Sequence, residues 1–268
     1  MTFIIILCAL IIERFFDWQQ LRTWHWFNLY QYRLSAALSG LPQAAVLLVS
    51  IVTPLLVIGV LNHMLSGVFY NFFKLIFGLG VLLYCFGPEN FWAQVYQIIA
   101  KFHLEDKPAA LAQMQLSFPA ASANEFTQRI FIEANRRVFA VIVWFLLFGP
   151  MGAMLYRLID LIRRQNPKLE PIAIHYQSLM DWLPIRLLTI LFALAGHFNA
   201  VIKQWKISAF SAPLGNEQCL TQCGIAALDL TQNGRLPEDG SAEKEALGLL
   251  DRAFVIGLVI LAVMVLIK

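Results

Sequence analysis

Tyr156-Arg157 is followed by Asp160, and on a helix Arg157 and Asp160 share a face at i, i+3. Asp181 and Arg186 open a later apolar run, where Pro184 fits a first helical turn and Asp181 the capping position before it. Two Asp–Arg pairs at helix ends suit two kinds of chemistry. They can tie neighbouring helices together at membrane level, or they can present guanidinium groups to an anionic ligand, with the aspartates orienting them. The ordinary alternative is an arginine that snorkels to the interface beside a capping aspartate.

Other familiar chemistry has no signature here. The sequence contains no G-x-x-x-x-G-K-[ST] or G-x-G-x-x-G phosphate cradle, no G-x-S-x-G elbow and no H-E-x-x-H helix. His25, His63, His103, His175 and His197 are scattered without metal-ligand spacing. Cys219 and Cys223 lie four apart on one helical face, but no two further ligands have matching spacing, so they read as reduced thiols. No catalytic residue, metal or cofactor is therefore assigned. The net charge of +3 is too small to indicate a nucleic-acid binder.

The elements that must position these residues are apolar helices. Of 268 residues, 59% are hydrophobic and 14% charged, where soluble domains are near half and a quarter. Crossing a hydrocarbon core about 30 Å thick takes about 20 helical residues. Residues 41–61, 65–86, 138–156 and 248–267 meet or approach that length, and predict an all-α, multi-pass membrane protein with four transmembrane helices. The runs 2–16 and 183–202 are partial or interfacial apolar helices; for 183–202 a full span fits equally well. The run 2–12 has no preceding positive charge and no small-residue cleavage pattern, so it is expected to be retained.

Between the runs, the periodicity is helical. Phe91, Val95, Ile98, Ile99 and Phe102 recur at three- and four-residue spacing. Asn124 suits a cap for a helix carrying Glu125, Arg129, Glu133 and Arg137 as an exposed ion-paired face that runs on into 138–156. Gly87-Pro88 should stop the second span, and Gly149-Pro150 should bend or break the third. Lys74 is either buried near the middle of its span or close to the interface. Trp24, Trp26, Phe27, Tyr30 and Tyr32 read as an interfacial aromatic belt. Residues 203–247 form a loop-rich extramembrane segment, ending at a helix start on Ser241. Segments 13–40, 87–137, 157–182 and 203–252 carry three, five, four and five basic residues. The first two, including the helical segment 87–137, are placed in the cytoplasm.

Asp181-Trp182-Leu183-Pro184-Ile185-Arg186-Leu187, followed by Ala193-Leu194-Ala195-Gly196-His197, is similar to the D-W-[LV]-P-[IV]-R-L … L-x-G-H stretch of the AmpE family. The opening Ile12-Glu13-Arg14-Phe15-Phe16 resembles the same family's E-R-x-F, and order and spacing agree along nearly the whole chain. Gly149-Pro150-x-Gly152-Ala153-x-Leu155-Tyr156-Arg157 also resembles the G-P-x-G-A-x-x-Y-R segment of the related CobD/CbiB family, cobalamin-biosynthesis acid–amine ligases. Asp181-Trp182 and Gly196-His197 depart from that second pattern, and its N-terminal G-D-P stretch has no counterpart. The AmpE resemblance implies one AmpE-like domain over 1–268 in the bacterial inner membrane, linked to cell-wall recycling, β-lactamase induction and the response to antibiotics. It further implies a non-enzymatic signalling or accessory role, with membrane lipids and a cell-wall-derived or lipid-linked ligand as partners and no protein partner specified. The ligand residues would be Tyr156, Arg157, Asp160, Asp181, Arg186 and His197. The rival implied by the second resemblance is a membrane acid–amine ligase using ATP and Mg²⁺.

Overall fold

The computed structural model describes residues 2–15, 23–38, 40–65, 71–87, 90–103, 112–113, 126–208, 215–228 and 241–267. The helix cap expected at Asn124, with Glu125, lies outside the described residues, as do Phe16 and Pro88. Among the described residues the secondary structure is helical throughout, without a strand. In chain order the helices are α1 (Thr2–Phe15), α2 (His25–Ala37), α3 (Gln43–Met64), α4 (Asn71–Cys85), α5 (Phe91–His103) and α6 (Phe126–Ala134). A wider π-type turn, Asn135–Phe139, then leads into α7 (Ala140–Gln165), followed by α8 (Glu170–Ala195), α9 (Phe198–Ser208), α10 (Asn216–Leu228) and α11 (Ser241–Ile267).

Four helical stretches are long and apolar enough to cross a membrane: Gln43–Met64, Phe126–Gln165, Glu170–Ala195 and Ser241–Ile267, with Phe72–Cys85 a shorter apolar helix. At 1.5 Å per residue, the 22 residues of α3 and the 27 of α11 exceed the thickness of a bilayer core. Their outward faces carry Leu48, Leu56, Val57 and Leu61, and Val255, Val259, Val263 and Leu266, all exposed. Only 11% of the most apolar window of α11 is buried inside the protein. So much exposed apolar surface is a liability in water and the expected covering in lipid.

Several expectations change. The run 183–202 is not a single helix: its first part completes α8, a helix of span length that began at Glu170, as the full-span alternative allows, and the chain then breaks before α9. Asp181 and Pro184 consequently lie inside α8, and Asp181 caps nothing. Of the two positions open for Lys74, its exposure in α4 does not fit burial inside the bundle. The described part of 203–247 includes α10, a helix of 13 residues, beside the end of α9 and the start of α11.

Two compact units are distinguished, 1–89 with 140–180, and 90–139 with 181–268. In the first, α4 packs on α7 and α1, while α3 packs on α7 and α2. Ile6, Ala9, Phe145, Ala153 and Tyr156 are buried there. α7 kinks at Gly149, whose φ of 64° and ψ of −151° lie outside helical space, immediately before Pro150. The positive φ is inexpensive only for glycine, and proline removes the amide that would have continued the helix. In the second unit α6 packs on α5, α10 and α11, and α9 on α10. Ring contacts hold it, with Phe131 and Phe192 centroids 5.2 Å apart and Phe139 and Phe254 5.8 Å apart.

Candidate functional site

In the first unit the kinked α7 carries Tyr156, Arg157 and Asp160 into the interior: Tyr156 and Asp160 are fully buried and Arg157 nearly so. The predicted i, i+3 pair forms, with Arg157 Nη1 donating to Asp160 Oδ2 at 3.0 Å. Three further groups converge on that carboxylate. Arg163 Nη2 donates to Oδ1 at 3.1 Å, Arg164 Nε reaches both oxygens at 3.0 Å, and Gln177 Nε2 from α8 reaches Oδ1 at 3.3 Å. Three guanidinium groups thus share one carboxylate. Arg163 and Arg164 are the residues that sequence reasoning missed, although they fall at i+3 and i+4 from Asp160, where a helix puts them on its face.

The approach of Arg157 depends on the chain after α4. Gly87 has a φ of 104°, and a side chain there would lie 2.8 Å from Arg157 Nη2. The glycine both ends the apolar helix, as expected, and leaves room for the guanidinium.

Asp181 and Arg186 belong to the second unit, with different partners from those anticipated. Asn135 Nδ2 donates to Asp181 Oδ1 at 3.3 Å, and Arg136 Nε lies 3.9 Å from Asp181 Oδ2. Arg136 also pairs with Glu217, while Arg186 donates to Asn216 Oδ1 and holds its guanidinium carbon 5.0 Å from the Trp182 ring centroid. Glu133 binds Arg137 at 2.9 Å and Arg129 at 3.6 Å, so the alternating-sign pattern does pair. That face is not exposed, however, because Glu133 is buried. The π-type turn that follows Glu133 adds a residue per turn and so shifts the phase of Asn135 and Arg136, both of which are buried. His197 is exposed at the break between α8 and α9, and its backbone N–H donates to Ala227 O at 3.2 Å.

Cys219 and Cys223 are free and buried on α10. The hydrogen bond from Cys223 holds the Cys219 thiol below its usual range, assisted by the Ser208 hydroxyl and the Arg186 charge. The same bond, with burial, pushes Cys223 up.

With this geometry in place, comparison with known proteins is decisive about kinship. The family model described as "Regulatory signalling modulator protein AmpE" matches residues 1–267. The chain belongs to the AmpE family. It is therefore a multi-pass membrane protein of a signalling family, as its apolar helices independently indicate. The AmpE-like chain is also similar to "Cobalamin biosynthesis protein CobD" of Stutzerimonas stutzeri (strain A1501), at 25% identity over 119 residues. That match covers 42% of this chain and 39% of the relative, so the chain spans about two fifths of the length of the curated protein it matches. No solved structure matches the chain significantly.

Proposed function

We propose that this AmpE-family protein is an inner-membrane signalling or accessory component linked to cell-wall recycling and β-lactamase induction. In this reading it acts by binding an anionic or lipid-linked ligand. The observation that carries the proposal is the sharing of the buried Asp160 among Arg157, Arg163 and Arg164. Three guanidinium groups converge on one small region of α7, and desolvated guanidinium groups favour a phosphate or carboxylate partner. Arg163 and Arg164 keep 17% and 31% of their side-chain surface exposed, so a ligand can reach them. Tyr156, buried beside Arg157 in the sequence of α7, and Asp181, Arg186 and His197 of the second unit are included in the proposed ligand-binding set.

The test replaces Arg157 and Arg186 singly by Ala, verifies that membrane insertion is unchanged, and measures β-lactamase induction in a strain where the wild type has an effect. Losing one charge-assisted hydrogen bond should weaken the ligand-dependent response by about tenfold or more. Unchanged induction in both variants would leave the arginines as structural anchors.

The similarity to the CobD protein favours a second reading, a membrane acid–amine ligase that uses ATP. Loss of cobinamide salvage on deleting the gene would support it, and normal salvage would remove it.

A further inference from the structure

Beside the arginine cluster, and separate from it, the first unit has an open cavity of about 430 Å³ between α2 and the C-terminal end of α7. Its size falls within the range of small-molecule sites, about 300–1,000 Å³. Asn28, Gln31, Tyr32, Ser35, Gln165 and Asn166 line it, and among the described residues none of its lining side chains is charged. Four carboxamides and two hydroxyls offer donors and acceptors in nearly equal number, which is unsuited to an ion and suited to a ligand bearing several hydroxyl or amide groups. Tyr32, 75% exposed, adds an aromatic ring to the lining.

Gln31 gives the cavity its second mark. It is 8% exposed; its Oε1 receives a long bond of 3.5 Å from Asn166 Nδ2, and its Nε2 is buried without an acceptor. A buried donor left unmade costs free energy that a ligand oxygen would recover. The depth of the cavity is also defined. Ser35 and Asn166 line a neighbouring space of about 200 Å³ together with Gln43, the first residue of α3, and Lys168, just past the end of α7. Gln43 opens one stretch of spanning length and Lys168 lies between two others, which is where headgroups are expected.

We propose that this cavity binds a neutral sugar ring, stacked on Tyr32 and hydrogen-bonded by Asn28, Gln31 and Asn166. Such a ring can arrive free in solution or as the headgroup of a glycolipid. The experiment uses the full chain in nanodiscs and reads ligand-induced thermal shifts with two probes: free N-acetylglucosamine, and a glucosyl diacylglycerol incorporated in the disc against phosphatidylglycerol discs. Saturable stabilisation by the sugar identifies a soluble source, and stabilisation by the glycolipid alone a membrane source; either supports the site. Gln31→Leu should weaken binding by about threefold to tenfold. Asn28→Ala, at an exposed position that the fold does not require, should act in the same direction. No shift with either probe at millimolar concentration, or equal shifts in wild type and both variants, would overturn the assignment.

Discussion

Asp160→Asn is expected to destabilise the protein by about 3–5 kcal/mol, the usual cost of removing one partner from a buried ion pair. The substitution keeps the shape of the side chain and its capacity to accept from Gln177, so the loss isolates the charge. Arg157 suffers most, because only 6% of its side chain meets solvent and it would lose its carboxylate. Arg164 is the internal control. With 31% of its side chain exposed, Arg164→Gln should cost no more than about 1 kcal/mol, as for ion pairs that water can replace. Thermal unfolding in detergent, followed by the retained helical signal, measures both. If Asp160→Asn melted with the wild type, the carboxylate would not be the keystone of this cluster.

Gly152→Ala should be nearly as damaging, for a steric reason. A methyl group there would overlap Trp144 O and lie 2.9 Å from Phe148 Cβ, across the kink at Gly149. Alanine ordinarily gains about 1 kcal/mol over glycine inside a helix. Here the overlap is with backbone, which cannot swing aside, so the kink itself must open and carry Tyr156, Arg157 and Asp160 with it. A net cost at or above the upper end of the overpacking range, about 1–3 kcal/mol, is expected. Gly80→Ala gives the contrast, since nothing lies within 4 Å of a methyl group at that helical position. It should be neutral or slightly stabilising. Equal melting temperatures for the two variants would show that the kink is not set by Gly152.

The apolar runs made the helical membrane architecture legible because length and absence of charge act locally. The Arg157–Asp160 pair was legible for the same reason, as spacing along one helix determines it. Asp181 was not. Its partners Asn135 and Arg136 are distant in sequence, and the π-type turn changes their phase without leaving a compositional mark. Pro184 also misled: a proline after an aspartate resembles a helix start, yet α8 began earlier, at Glu170, and absorbed it. Glu133 shows the complementary limit. Helical spacing gave its pairing with Arg129 and Arg137, but burial depends on what packs over it, which periodicity does not contain.

The central claim, that the Asp160 cluster is an anion site, is tested most directly by calorimetric titration of the purified protein in detergent with inorganic pyrophosphate. Wild type should bind saturably, with affinity falling as salt rises. Arg164→Gln, which leaves the fold intact, should weaken binding by about tenfold or more. Absence of binding by the folded wild type, or equal affinity in the variant, would contradict the account.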